Sequence, residues 1–148
     1  MAVGERILSW FSRAPRSGDY HQTTCHGQPG QELALLRSEY ANLPTLLKSK
    51  RVVDFGCGEG LQGIALAKEE GCFVVGLETN PSTLERAGEM ASVPGIGPDR
   101  IRFLDAQTKD MLGSFDVVIS QNAMKHVPDP ESSVKVMKSL LNRGGKRS

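Results

Sequence analysis

The chain has 148 residues, enough for one modest domain with a true core, and a net charge of +1 at neutral pH. That balance predicts no electrostatic capture of nucleic acid or of an acidic membrane surface, and no apolar run approaches the length of a membrane span. The three cysteines, Cys25, Cys57 and Cys72, are odd in number and lack metal-ligand spacing, so no metal site is expected and a reducing, cytoplasmic setting is.

In chain order, the amino terminus carries Arg6, Arg13 and Arg16 around the short cluster Ile7-Leu8-Ser9-Trp10-Phe11. The cluster is too short and interrupted for a secretory leader, and Glu5 argues against an organellar one. An amphipathic helix packing Trp10 and Phe11 on the domain is predicted instead. Residues 16–30 are rich in Gly, Ser, Thr, Pro and Gln and read as a loop. The expected division is therefore 1–30 as an extension of helix plus loop, with 31–148 as the main domain. Leu33, Leu36, Tyr40 and Leu43 recur at roughly helical spacing and predict a helix over 31–48, ending near Pro44 or one turn beyond.

Regular alternation of strand and helix begins at Arg51. Residues 51–55 read as a strand, 61–68 as a helix stopped by Gly71, and 72–77 as a second apolar strand. Asn80 looks like a helix N-cap with Pro81 at the first helical position, launching a helix through Ala91. A Pro- and Gly-rich loop leads to a third strand at 101–104, and Phe115 to Ile119 reads as the fourth. Pro128 and Pro130 break the chain before a helix over 131–141. Strands that are unbroken apolar runs between helices indicate a mostly parallel sheet covered on both faces, a Rossmann-like three-layer α/β/α sandwich.

The most informative segment is Val52-Val53-Asp54-Phe55-Gly56-Cys57-Gly58-Glu59-Gly60. A strand ends in an acid, and alternating glycines then open a helix. Such a turn lets a nucleotide-like ligand approach the backbone more closely than a Cβ would allow. Glu78 ends the second strand about 20 residues beyond the turn, where a carboxylate can accept hydrogen bonds from a ribose diol. It can also be read as a surface acid favoured by the dipole of the next helix. The stretch Gly58-Glu59-Gly60-Leu61-Gln62-Gly63 satisfies G-x-G-x-x-G, so a dinucleotide-binding (NAD) oxidoreductase fragment is the rival, although Gly56 and Cys57 already close the strand ahead of it.

The pattern Asp54-x-Gly56-x-Gly58-x-Gly60 resembles motif I of the class I methyltransferases that use S-adenosylmethionine. In that resemblance Glu78, with Thr79 beside it, matches the ribose-binding acid. Asp105 matches an acid meeting the adenine amino group, with the Ala106 backbone against the ring; it can also be read as a turn or cap aspartate. Asp54, Gly56, Cys57, Gly58 and Gly60 would form the turn around the methionine portion, with Gln121 in the crevice after the fourth strand. Asp54 is expected to orient the turn rather than to move a proton, and Gly76 to leave space beside the ligand. The run Leu140-Leu141-Asn142-Arg143-Gly144-Gly145 is similar to the family's turn before a fifth strand, with its usual proline replaced. The resemblance covers about residues 50–145, with five pieces in order.

The segment Ser120-Gln121-Asn122-Ala123 lacks the signatures of amino-group methyltransferases acting on nucleobases, of protein-arginine enzymes and of cytosine C5 enzymes. The resemblance is rather to the broad group, methyltransferase type 11-like, that methylates small molecules at oxygen, carbon or nitrogen. His126 is the one candidate general base; it can equally be a pocket-lining or structural histidine. The family's sheet has seven strands, and the chain ends where the fifth should begin, so strands 1–4 of the seven are expected, without the substrate half. The fourth strand should then present an exposed apolar edge, open to self-association or to a partner chain. A non-catalytic or split cofactor-binding module that completes its sheet with another chain is therefore a second reading.

Overall fold

A computed structural model describes residues 6–10, 32–92, 95–111, 113–121 and 129–141. Five parallel strands form one sheet in the order β1-β5-β2-β3-β4. They are β1 (Arg6–Trp10), β2 (Arg51–Phe55), β3 (Phe73–Glu78), β4 (Ile101–Asp105) and β5 (Val117–Gln121). The helices are α1 (Ala34–Glu39), α2 (Leu43–Leu47), α3 (Leu61–Glu69), α4 (Pro81–Ser92) and α5 (Pro130–Leu140), with a 3-10 helix at Ala106–Met111.

Alternation along the strands sorts the core into two layers. Val52, Val74, Ile101, Val117 and Ile119 pack with α1, α2, α3 and Ala91 of α4, through Leu33, Leu36, Leu43, Leu47, Ala65 and Leu66. Val53, Leu77 and Val118 pack on the other face with Met137 and Leu140 of α5 and with Phe115. This is the expected three-layer architecture. At its first layer, Arg37 of α1 clasps the buried carboxylate of Glu70 through Nε (3.1 Å) and Nη2 (2.6 Å), tying α1 to the carboxyl end of α3. Arg100 Nη2 donates to the Ala67 carbonyl at 2.6 Å in the last turn of the same helix.

Most boundaries lie within two residues of their expected places, because the signals that set them are local. Asn80 Oδ1 accepts from the backbone N–H groups of Ser82 (3.0 Å) and Thr83 (3.4 Å), so α4 is capped as expected. Gly71, at φ +65°, turns the chain out of α3. Asp129 caps α5 by accepting from Ser132 Oγ at 2.5 Å and from Ser132 N at 3.2 Å, and these hydrogen bonds, the hydroxyl's first, hold its carboxyl below the usual range.

Four expectations are corrected. Residues 6–10 form not a helix but an edge strand, paired in parallel with β5 from Arg6 opposite Val117 to Trp10 opposite Gln121. The apolar edge expected to stand open on the fourth predicted strand is therefore covered by the chain itself; an unpaired row of N–H and C=O groups finds partners more than a hundred residues away in sequence. The single helix expected over 31–48 is two short ones. Tyr40, at φ −127° and ψ 87°, leaves the helical region, and Pro44, which cannot donate to a preceding turn, sits in the first turn of α2. Finally, β5 is shifted two residues from 115–119. Phe115 instead makes an isolated parallel bridge with Leu141, while its ring carries the Arg51 guanidinium 4.9 Å above its centre.

Candidate functional site

The carboxyl ends of β2, β3 and β4 and the amino-terminal turn of α3 meet at one end of the sheet, where open α/β sheets bind ligands. The turn that joins β2 to α3 has three left-handed residues, Gly56 (φ +73°), Gly58 (φ +55°) and Gly60 (φ +80°). Only glycine takes that region without cost, which accounts for the alternation in the sequence. The turn is stapled to β3: Gly56 N and Cys57 N both donate to the Leu77 carbonyl, at 2.8 and 3.0 Å.

The missing Cβ atoms serve two different purposes. A Cβ at Gly58 would meet nothing within 4 Å, so this position leaves open space beside the backbone. A Cβ at Gly60 would lie 2.4 Å from Phe103 Cζ, and one at Gly76 would lie 2.6 Å from Phe103 Cδ1 and 2.9 Å from Cys57 Sγ. The space expected beside Gly76 is thus filled by an aromatic ring from β4. Phe103 is the residue that sequence reasoning missed here; its register opposite Gly76, a long-range fact, is what reveals it.

Glu78 reaches across to the turn. Its Oε2 accepts from Gly58 N at 3.1 Å, while Oε1 accepts from Thr79 N (2.8 Å), Thr79 Oγ1 (3.3 Å) and Asn80 N (3.3 Å). The acid at the end of β3 and the glycine turn are thereby one unit. Asp105 lies directly opposite Glu78 in the β3–β4 register, and its Oδ1 accepts from Gln107 N at 2.8 Å, which caps the 3-10 helix beginning at Ala106. Both acids therefore face the same crevice end from adjacent strands, half-buried.

Asp54 is different. It is 3% exposed, and its Oδ2 has no hydrogen-bond partner. Loss of hydration pushes its carboxyl up to about 7, with the charge of Glu78 adding to the shift. The same desolvation, with Asp54 and Glu78 nearby, drives the Cys57 thiol far above its ordinary value, so Cys57 is an uncharged wall of the site and no nucleophile. Gln121, at the end of β5, is 6% exposed with Oε1 unpartnered. Gln62, in the first turn of α3, is fully buried, and neither its Oε1 nor its Nε2 has a partner. Gln62 was not singled out from the sequence, although a polar residue four positions before buried Leu66 on the packed stripe is the signal that marks it.

Of the candidates from the sequence, Asp54, Gly56, Cys57, Gly58, Gly60, Glu78, Thr79, Asp105, Ala106 and Gln121 all stand at or beside this end of the sheet. His126, Asn122 and Ala123 lie outside the described residues, as do Cys25 and His26. Among the described residues no three metal-type side chains gather.

An acid-led glycine turn between a parallel strand and its helix, clasped by a second acid from the neighbouring strand, defines a Rossmann-like domain with its ligand crevice at the strand ends. A family model described as a methyltransferase domain matches residues 46–147, and the chain belongs to that family. Among curated proteins it is similar to ubiquinone biosynthesis O-methyltransferases. That of Neisseria meningitidis serogroup C is 34% identical over 151 aligned residues, covering 97% of this chain and 60% of the relative. That of Coxiella burnetii is 33% identical over 112 residues, covering 75% and 47%. The chain spans about half the length of the curated relatives it matches. Among solved structures, the magnesium protoporphyrin IX methyltransferase of Synechocystis PCC 6803, with bound S-adenosylhomocysteine, shares 26% identity at a TM-score of 0.59, covering 74% of this chain and 50% of that one. A methyltransferase from Thiobacillus denitrificans, also with S-adenosylhomocysteine, is similar in fold at a TM-score of 0.60 and 21% identity, covering 74% and 44%.

Proposed function

We propose that this chain holds the cofactor-binding half of an S-adenosylmethionine-dependent methyltransferase that acts on a small-molecule acceptor. The observation that carries the reading is the clasp between Glu78 and the Gly58 N–H, which holds a carboxylate at the end of β3 against a glycine turn with open space beside it. In this reading Glu78, steadied by Thr79, accepts from the ribose hydroxyls. Asp105 and the Ala106 backbone face the adenine, while Gly56, Cys57, Gly58, Gly60 and Gln121 surround the methionine portion. Asp54, buried and lacking a partner at Oδ2, suits a cationic group above it. When bound, the cofactor supplies an electrophilic sulfonium methyl, so the task of these residues is alignment, worth several kcal/mol through proximity. The names of the curated relatives support a hydroxyl as the methyl acceptor. No described residue is assigned as a base, and His126 keeps its place as the candidate from the sequence. The buried free thiols Cys57 and Cys72 suit a reducing, cytoplasmic compartment, and among the described residues no helix is long and apolar enough to cross a membrane.

Calorimetric titration tests this directly. S-adenosylhomocysteine is expected to bind with micromolar affinity, about −8 kcal/mol, and NAD not to bind. Glu78→Ala should weaken S-adenosylhomocysteine by about 1.5–3 kcal/mol, since hydrogen bonds to a charged acceptor are lost. Binding of NAD in its place, or an unchanged affinity in the variant, removes the assignment.

A second reading concerns the sheet edge. That β5 takes a strand from a remote part of the chain supports an edge able to receive one from another chain. Deleting residues 1–10 is expected to uncover β5 and to give concentration-dependent association in light scattering. A shortened chain that stays folded and monomeric at every concentration would remove this reading.

A further inference from the structure

Two segments of this chain address one slot on the outer edge of β5. The first is β1, which fills that edge in parallel from Val117 to Gln121. The second is the chain that leaves α5. Phe115 N donates to the Leu140 carbonyl at 2.8 Å, and Phe115 makes a parallel bridge with Leu141. The next donor, Asp116 N, points the opposite way, to the Arg51 carbonyl of β2 at 2.9 Å. Successive donors of an extended chain alternate between its two edges, so Leu141 lies on the β1 side. Leu141 is itself extended, at φ −78° and ψ 144°, and it is buried. It thus enters the edge of β5 just ahead of the place where Arg6 begins.

Residues 142–148 lie outside the described residues. Carried on in register, Arg143 would stand opposite Val117, Gly144 opposite Val118, Gly145 opposite Ile119 and Arg147 opposite Gln121. Those are the partners of Arg6 to Trp10, so one occupant excludes the other. Strand propensity separates them. Arg6–Trp10 brings Ile7 and Trp10, both good strand formers. Its rival brings two consecutive glycines, which lose the most freedom on ordering and offer the sheet no side chain. We propose that β1 is an exchangeable strand, and that Gly144-Gly145 gives it the slot by keeping out the in-line segment after Leu141. The inference stands on the sheet alone, and no ligand enters it. Exchange changes the residue opposite Gln121 from Trp10 to Arg147, so it remakes one border of the candidate site.

Residue-resolved amide hydrogen exchange tests this on the full chain, with Gly144→Val and Gly145→Val combined as the variant. In wild type the slot-facing amides among residues 7–10 are expected to be protected. In the variant they should exchange about tenfold faster or more, while amides in 143–147 slow. Those of Val117 and Ile119 should hold their protection, because the slot stays filled. Free-chain exchange of residues 7–10 in wild type, or wild-type protection of them in the variant, overturns the proposal. Light scattering supplies a second measurement on chains lacking residues 1–10. Adding the two valines to that shortened chain should abolish its association, since the chain then covers β5 by itself. Association that the valines leave unchanged overturns the proposal as well.

Discussion

Gly60→Ala is expected to destabilise the domain by about 2–5 kcal/mol, and to abolish measurable binding of S-adenosylhomocysteine. Two independent costs add. At φ +80° an L-residue occupies the left-handed region at a cost of about 1–2 kcal/mol. The new methyl would also lie 2.4 and 2.6 Å from two ring carbons of Phe103 and 3.2 Å from Ala87 Cβ, an overpacking worth about 1–3 kcal/mol. Phe103 is held by its strand and cannot yield as a flexible chain end would. Because natural domains have only about 5–15 kcal/mol in all, such a loss shows clearly in urea unfolding. The double variant with Phe103→Leu should recover the steric part and leave the backbone part, so the two costs separate in a mutant cycle. A single variant that unfolds at the wild-type midpoint would show that the turn is not held against β4 as described.

Asp54→Asn is expected to do the opposite to stability and the same to binding. The carboxyl of Asp54 sits at about 7 in the fold against an ordinary value near 3.8, raised first by burial and then by the charge of Glu78. A raised value means that the folded state holds its proton more tightly than the unfolded one. The contribution to stability is then fully present below about pH 4. It is lost progressively as pH rises to 7, leaving a buried charge above that. A shift of this size corresponds to roughly 4 kcal/mol at neutral pH and above. Asparagine carries no such charge. The variant should therefore be more stable than wild type by a few kcal/mol at pH 8, on the order of the linkage value, with the gap closing toward pH 4. In the same reading a ligand ammonium prefers the ionised carboxylate, so wild-type affinity for S-adenosylhomocysteine should fall as pH drops below about 7, and the variant should bind weakly at every pH. Parallel melting curves for the two proteins from pH 4 to 8 would contradict the burial of this charge. The residue exchanges stability for a poised binding group, a trade common at functional sites.

The local grammar of the site is legible in the sequence. The run from Val52 to Gly60 announces strand, acid and left-handed turn, because only glycine tolerates φ values of +73°, +55° and +80°. Asn80-Pro81 announces a capped helix, and the distance to Glu78 announces a second acid at the next strand end. Each of these signals works within a few residues, or through the repeat length of one strand-helix-strand unit. The break between α1 and α2 was half legible, since Pro44 marks it but the apolar spacing of Leu33, Leu36, Tyr40 and Leu43 runs across it.

What only the tertiary structure decided has a common cause. Arg6–Trp10 carries a pattern short enough for either helix or strand, and it became a strand because β5 offered an unpaired edge more than a hundred residues away. Gly60 and Gly76 look like room for a ligand, yet the room at both is taken by Phe103, which the β3–β4 register brings opposite. Gln62 reads as an ordinary polar residue, and its burial with an unpartnered amide, like that of Asp54 Oδ2, is visible only in the fold. Periodicity, caps and backbone angles belong to neighbours in sequence and can be read there. Edge pairing, ring packing and desolvation belong to groups that meet only when the chain has folded.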